Sequence, residues 1–299
     1  MAIRTLLYAP GNEPRKVSKV GTCGADAAIL DLEDAVAVDQ KVAARDAVRQ
    51  AIPAVRETGT QVYVRINPTA EKTDFSLNVG LADIEEVLCA ELGGLVVPKV
   101  ESAEEMDDVE RVLAARERAL GLEPGSVEVV PIIETALGLW RAYEIARSSP
   151  RIKSLHFGAG DFTRDVSIDW SRDEAELAYA RSRLVVISRA AGIDPPTDSV
   201  WVRLDDEDGF VESAQRARRM GFQGKSCIHP RQVPLANRVF SYVSPEELAQ
   251  ARRIVEAFAQ AQAGGSASIR VDGQFVDYPL VENARRVIEL HAGAQEGEG

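Results

Sequence analysis

The chain has 299 residues, 45% hydrophobic and 27% charged, with 35 Lys and Arg against 47 Asp and Glu for a net charge of −12. This composition excludes disorder, and its field repels nucleic acid and anionic membranes, so neither partner is expected and an anionic ligand needs a local basic cluster. No apolar run approaches the ~20 residues of a membrane span, and MAIRTLLYAPGN turns at Pro10-Gly11 before a secretory pattern develops.

A first strand is expected at Arg4–Tyr8, followed after the PGN turn by a helix that presents Arg15, Lys16 and Lys19. The second strand, Ala28–Leu32, runs into Asp31, Glu33 and Asp34, and a helix over Gln40–Arg56 follows, weakened by Pro53. Arg65 ends a strand at Val62–Ile66; a short helix at Asp83–Cys89 precedes the strand Leu95–Lys99 and the helix Ala103–Leu120. Glu134 directly follows the strand Val127–Ile133 and opens a helix over Thr135–Arg147. The strand Lys153–Phe157 runs into GAGDF, and the helix Glu174–Ala191 leads to a seventh strand at Ser199–Leu204. A helix at Glu212–Met220 and a last strand at Lys225–Ile228, ending beside His229, complete the alternation. Eight strands alternating with helices predict a (β/α)8 TIM barrel over residues 1–240; a doubly wound open sheet shares the alternation and is the alternative.

Residues 241–299 read as a C-terminal extension: a helix at Pro245–Gln262 capped by Ser244, a small-residue hinge at Ala263–Ser268, a hairpin turning at Asp272-Gly273 and a helix at Leu280–His291. Hinge, hairpin and helix together suggest a lid. Cys23, Cys89 and Cys227 form no CxxC pair and fit reduced, mostly buried thiols, so a soluble cytoplasmic protein is expected.

Five consecutive strand ends carry ionisable groups, which points to one polar site on one rim. Glu134 and Asp161 lie one β/α unit apart, so their carboxylates can share a cation, and oxygen ligands with room for water and substrate suit Mg²⁺. The competing reading makes Glu134 a helix cap and Asp161 a loop cap. In GAGDF the glycines let amides approach an anion, which makes Gly160, Asp161 and Phe162 candidates for holding a substrate carboxylate. Arg65 suits a carboxylate or a developing enolate oxygen, or else an ion pair with Asp31. Asp31, Glu33 and Asp34 are expected around the site, holding water or orienting Arg65. Lys99 is open between the pocket and an ion pair; His156 and His229 are read as packing or hydrogen-bonding residues.

The motifs LLYAPGN, ILDLEDAV, VRIN, VVPKVES, PIIET, GAGDF, GKSCIHP and GQFVDYP occur in order from Leu6 to Pro279. In this they resemble the HpcH/HpaI aldolase and citrate lyase β-subunit family, in particular the CitE-like CoA-ester lyases. The resemblance implies a Mg²⁺-dependent barrel that breaks or forms a C–C bond between an acyl-CoA enolate and a 2-oxo acid. By family position, Glu134 and Asp161 bind the metal and Arg65 stabilises the thioester enolate. Asp277 in GQFVDYP matches an acid/base aspartate that some members insert from a neighbouring subunit's lid, and a homotrimer or hexamer is implied. The expected substrate is a malyl- or citramalyl-CoA type ester that releases acetyl-CoA or a homologue, with Arg15, Lys16 and Lys19 receiving the CoA phosphates. Two alternatives stand beside this: a citrate lyase β subunit working with an acyl-carrier protein, and a metal-dependent pyruvate aldolase that needs no CoA.

Overall fold

The computed structural model describes residues 3–69, 79–241 and 243–296. Eight parallel strands close in sequence order: β1 (Thr5–Pro10), β2 (Ala27–Asp31), β3 (Gln61–Arg65), β4 (Gly94–Val97), β5 (Glu128–Ile133), β6 (His156–Phe157), β7 (Thr197–Asp198) and β8 (Gly224–Cys227). Closure comes from β8 pairing with β1, Lys225 opposite Thr5, and it rules out the open doubly wound sheet.

Alternation along the strands builds two layers of core. Leu7, Ala28, Leu30, Val62, Val64, Leu95, Val97, Val129 and Ile133 pack outward against the helices. Leu6, Ala27, Ile29, Tyr63, Val96, Val130 and Ile132 fill the barrel interior. Burial on both faces explains why these strands read as unbroken apolar runs. The outer helices are α1 (Pro14–Val20), α2 (Lys41–Glu57), α3 (Val79–Val87), α4 (Ala103–Leu120), α5 (Ala136–Trp140), α6 (Ala142–Arg147), α7 (Ala159–Asp165), α8 (Ala178–Ala191), α9 (Glu207–Met220) and α10 (Gln232–Ser241). Pro53 lies inside α2 without ending it. The single helix expected over Thr135–Arg147 is two, breaking at Arg141.

The expected seventh strand at Ser199–Leu204 is corrected to Thr197–Asp198. Here apolar content is a poor guide, because the outward faces of β7 and β8 carry charge. Arg181 donates to Asp198 at 2.8 Å and to Glu174 at 3.0 Å, and Lys225 donates to Asp198 at 2.6 Å and to Ser213 at 3.0 Å. Ser213 donates onward to Glu174 at 2.7 Å, so each of these buried groups has a partner. Trp201, expected within that strand, is instead buried in the loop after it and donates Nε1–H to the Asp206 carbonyl.

Contacts divide the chain into residues 1–240 and 241–299. The second unit consists of α11 (Pro245–Ala263), the hairpin β9 (Ile269–Val271) and β10 (Gln274–Val276), and α12 (Tyr278–Glu296). Ser244 and Glu247 form a capping box on α11. Asp272 and Gly273 both take positive φ, 50° and 84°, the conformation required at a two-residue hairpin turn. Ala251, Ile254, Phe258, Val276, Val281 and Ala284 form this unit's own core. Among the described residues no helix is long and apolar enough to cross a membrane.

Candidate active site

The strand ends converge because strand register fixes them. Asp31 at the end of β2 lies opposite Arg65 at the end of β3. Arg65 grips Asp31 through two hydrogen bonds, Nε to Oδ1 at 2.7 Å and Nη2 to Oδ2 at 2.6 Å, while Nη1 stands 2.7 Å from Glu33 Oε2. The ion-pair reading of Arg65 is therefore met, and the fork still has N–H groups to offer a ligand. Beneath the guanidinium lies the Tyr8 ring, 5.0 Å away. Burial opposes the Arg65 charge, but Asp31 and Glu33 outweigh it and hold the group firmly cationic. Asp31 also accepts the Glu33 and Ala35 amides, which shapes the turn after β2.

Lys99 resolves as an ion-pair residue: its ammonium donates to Glu33 and stands 3.6 Å from Asp161 and 3.5 Å from Asp34. Burial works against its charge, and Glu33 more than offsets this, leaving the ammonium above its usual range. Its backbone adopts φ 54°, rare for a side chain other than glycine, and its amide donates to Glu134 Oε1 at 2.8 Å. Asp31 and Glu33 are buried beside Arg65, whereas Asp34 is exposed at the rim.

The cap of α5 is Thr135, whose Oγ1 accepts the Gly138 amide at 3.0 Å, so Glu134 is not needed as a cap. Glu134 is 3% exposed, and burial, reinforced by Glu33 and Asp161, pushes its carboxyl up to about 8. A hard divalent cation would relieve that cost. Among the described residues no cluster of three or more His, Cys, Asp or Glu forms a metal cage, so Glu134 and Asp161 would leave the remaining positions to water and substrate oxygens, as suits Mg²⁺. Asp161 meanwhile pairs with Arg164 at 2.7 Å. Gly158 makes room for the carboxylate: a Cβ there would fall 2.2 Å from Glu134 Oε2.

GAGDF, into which the strand before it runs, opens the short helix α7. The Gly158 amide bonds the Ile133 carbonyl, the Ala159 amide bonds Ser199 Oγ at 2.9 Å, and the Phe162 amide bonds the Gly158 carbonyl at 3.1 Å. The expectation that Phe162 offers its amide to substrate is thereby corrected, and its ring is buried against Phe157 instead. Gly160 and Asp161, the other two candidates, line the cleft described next.

One cleft of about 700 Å³ joins Arg65, Glu134 and Asp161 to Arg15, Lys16 and Lys19 on α1. It also reaches Tyr8 and Ser226, which the sequence reading does not single out although their inward alternation along the strands is the available signal, Ser199 just past β7, and His156, expected there only as a packing or hydrogen-bonding residue. His229 lies on the same cleft, its Nδ1 accepting the Arg231 amide at 3.1 Å. Asp277 lies in the second unit between β10 and α12, its carbonyl accepting the Val281 amide.

The model of the HpcH/HpaI aldolase/citrate lyase family matches residues 4–230. Citrate lyase subunit beta of Leuconostoc mesenteroides subsp. cremoris is 37% identical over 287 residues, 96% of this chain and 92% of that protein. The mitochondrial citramalyl-CoA lyase of Rattus norvegicus is 30% identical over 305 residues, 98% of this chain and 87% of its own. The crystal structure of CitE from Mycobacterium tuberculosis, in complex with magnesium, acetoacetate and coenzyme A, superposes with a TM-score of 0.76 at 29% identity, covering 97% of this chain and 98% of that one. The closed barrel, the charged rim and these likenesses agree: the chain belongs to the HpcH/HpaI aldolase/citrate lyase family.

Proposed function

We propose that the chain is a Mg²⁺-dependent carbon–carbon lyase that cleaves, or in reverse forms, a 3-hydroxyacyl-CoA of the malyl- or citramalyl-CoA type, with acetyl-CoA or a homologue and a 2-oxo acid as products. The observation that supports it is the single cleft linking the carboxylate pair and Arg65 to the three basic residues of α1, because a CoA ester is reactive at one end and anionic along the other. Relatives of the citrate lyase and citramalyl-CoA lyase kind point the same way.

Glu134 and Asp161 hold the Mg²⁺. When bound, that ion acidifies the substrate hydroxyl and offsets charge on the departing oxo acid. Arg65, locked by Asp31 and Glu33, directs its remaining N–H groups at the thioester oxygen as negative charge collects there during C–C cleavage. The Gly160 and Asp161 amides receive the oxo-acid carboxylate, and Arg15, Lys16 and Lys19 take the CoA phosphates. Asp277, reaching the site from a neighbouring copy in a homotrimer or hexamer, supplies the proton that converts the enolate carbon into the acyl-CoA product and is reprotonated from solvent, which takes up the hydroxyl proton released on cleavage.

Malyl-, citramalyl- and citryl-CoA incubated with and without Mg²⁺ test this reading, scoring both oxo acid and thioester. Metal-dependent release of oxo acid with an intact acyl-CoA product supports it. A second reading is favoured by the 37% identity to a citrate lyase β subunit: action on an acyl-carrier protein within a complex. That reading prevails if the chain is inert on every CoA ester and gains activity with a carrier protein. Turnover of pyruvate with free aldehydes alone would instead indicate the CoA-independent aldolase.

A further inference from the structure

Lys99 lies two residues past β4 with φ 54°, a backbone costly for any side chain and open to glycine. In that conformation its amide donates to Glu134 Oε1 at 2.8 Å, a bond glycine would make without strain. Backbone geometry alone therefore favours glycine at this position. What the lysine adds is its ammonium.

That ammonium is anchored on Glu33, whose Oε2 stands 2.7 Å from Arg65 Nη1, and it lies 3.6 Å from Asp161 Oδ2. Lys99 thus reaches Glu134 through its amide and Asp161 through its charge, which are the two carboxylates of the metal pair. Toward a cation on that pair the two contacts act in opposite senses. The amide fixes a ligand carboxylate in place, whereas the ammonium repels the ion and competes for Asp161. Charge balance shows the same design. Asp31, Glu33, Glu134 and Asp161, all ionised with a metal bound, carry four negative charges against two positive ones on Arg65 and Lys99. The difference is the charge of one divalent ion. Asp34 and Arg164, 62% and 74% exposed, are opposite in sign and screened by solvent.

We propose that Lys99 is a positioning residue that holds Mg²⁺ affinity down while its amide orients Glu134, so that the ion exchanges at the site instead of residing there permanently. This rests on the metal pair of the lyase reading and deepens it to how firmly the ion is held. Without the ammonium the enclosed groups carry three negative charges, one more than a divalent ion balances, and the metal binds more tightly. A side chain kept only for packing predicts the reverse, since its loss would loosen the carboxylates and weaken the metal.

The test is titration of the substrate-free protein with Mg²⁺ alone, read by calorimetry and by the metal-dependent rise in melting temperature. Lys99→Gly keeps the amide and relieves the backbone; Lys99→Met keeps the length of the side chain; Lys99→Arg keeps the charge. The apparent dissociation constant is expected to fall about tenfold or more in Lys99→Gly and Lys99→Met, and to stay within about threefold of wild type in Lys99→Arg. Glu134→Gln, which removes one ligand charge, should abolish the binding and so shows which site is being titrated. A Mg²⁺ affinity unchanged or weakened in both Lys99→Gly and Lys99→Met overturns the role of Lys99 and leaves the metal pair intact. Wild-type Mg²⁺ binding that Glu134→Gln does not alter overturns both.

Discussion

Asp31 and Arg65 are register partners on adjacent strands, and their side chains close a two-point fork at 2.6 and 2.7 Å where the barrel interior meets the cleft. Because the fork is buried, it fixes the guanidinium plane as well as its charge. Asp31→Asn keeps the shape and removes the countercharge, leaving Arg65 to Glu33 alone. Breaking a buried pair from one side costs about 3–5 kcal/mol, and retention of Glu33 puts the expected loss at the lower end. The turnover number should fall about ten- to hundredfold with a smaller change in KM, since the fork acts on charge that develops during the reaction. Steady-state kinetics with thermal melting checks this; an unchanged turnover number would show that Arg65 needs no such orientation.

Gly158 offers a test of the metal site that leaves both carboxylates in place. Its φ of −108° is open to any residue, so the constraint is space: a Cβ would sit 2.2 Å from Glu134 Oε2. Gly158→Ala should displace the Glu134 carboxylate and weaken the Mg²⁺-dependent rise in melting temperature at least tenfold in apparent affinity. Gly160→Ala is the matched control, because a Cβ there meets Trp170 at an ordinary 3.6 Å. Equal Mg²⁺ titrations for the two variants would refute a cation held by Glu134.

The rim was readable because parallel strands buried on both faces spell out their own ends: ILDLEDAV, VVPKVES and PIIET each change abruptly from apolar to charged where the strand stops. The hairpin was readable because Asp-Gly suits two successive positive φ values. The reading failed where charge is buried. β7 was displaced because Asp198 faces a network with Arg181 and Lys225, partners 17 and 27 residues away that no local pattern connects. α7 was missed because Gly158, Ala159 and Gly160 are weak helix signals, and its start is secured by Ser199 from another strand end.

His156 predicts an acid limb of stability. With its folded pKa pushed down to about 3 and an ordinary unfolded value near 6.5, the unfolded chain binds the extra proton between those limits. Stability from this group is complete above pH ~6.5 and is lost as pH falls toward 3, by up to about 1.4 kcal/mol per pH unit. Glu134 has the opposite sign in metal-free protein: its raised carboxyl favours the folded state at low pH and loses that advantage as pH rises through about 8. Denaturant unfolding of wild type and His156→Val without metal, at intervals from pH 4 to 8, separates the two. The variant should flatten the loss below pH ~6.5 and leave the alkaline slope unchanged.

The basic face of α1 sets the last expectation. Arg15, Lys16 and Lys19 are exposed, and Lys16 has a neighbour in Glu13 at 2.8 Å, a surface pair too weak to withhold it from a ligand. In a chain of net charge −12 these side chains are the cleft's local source of attraction for a polyphosphate. Neutralising all three to Gln should raise KM for an acyl-CoA about tenfold or more while the turnover number holds, because they bind ground and transition states alike. The salt response gives a second readout: between about 50 and 250 mM salt the wild-type KM should climb and that of the triple variant should stay nearly level. Binding of a free 2-oxo acid in the presence of Mg²⁺ should be the same in both proteins. A KM insensitive to all three substitutions would move the CoA phosphates off α1 and leave the chemistry of Arg65, Glu134 and Asp161 to stand without them.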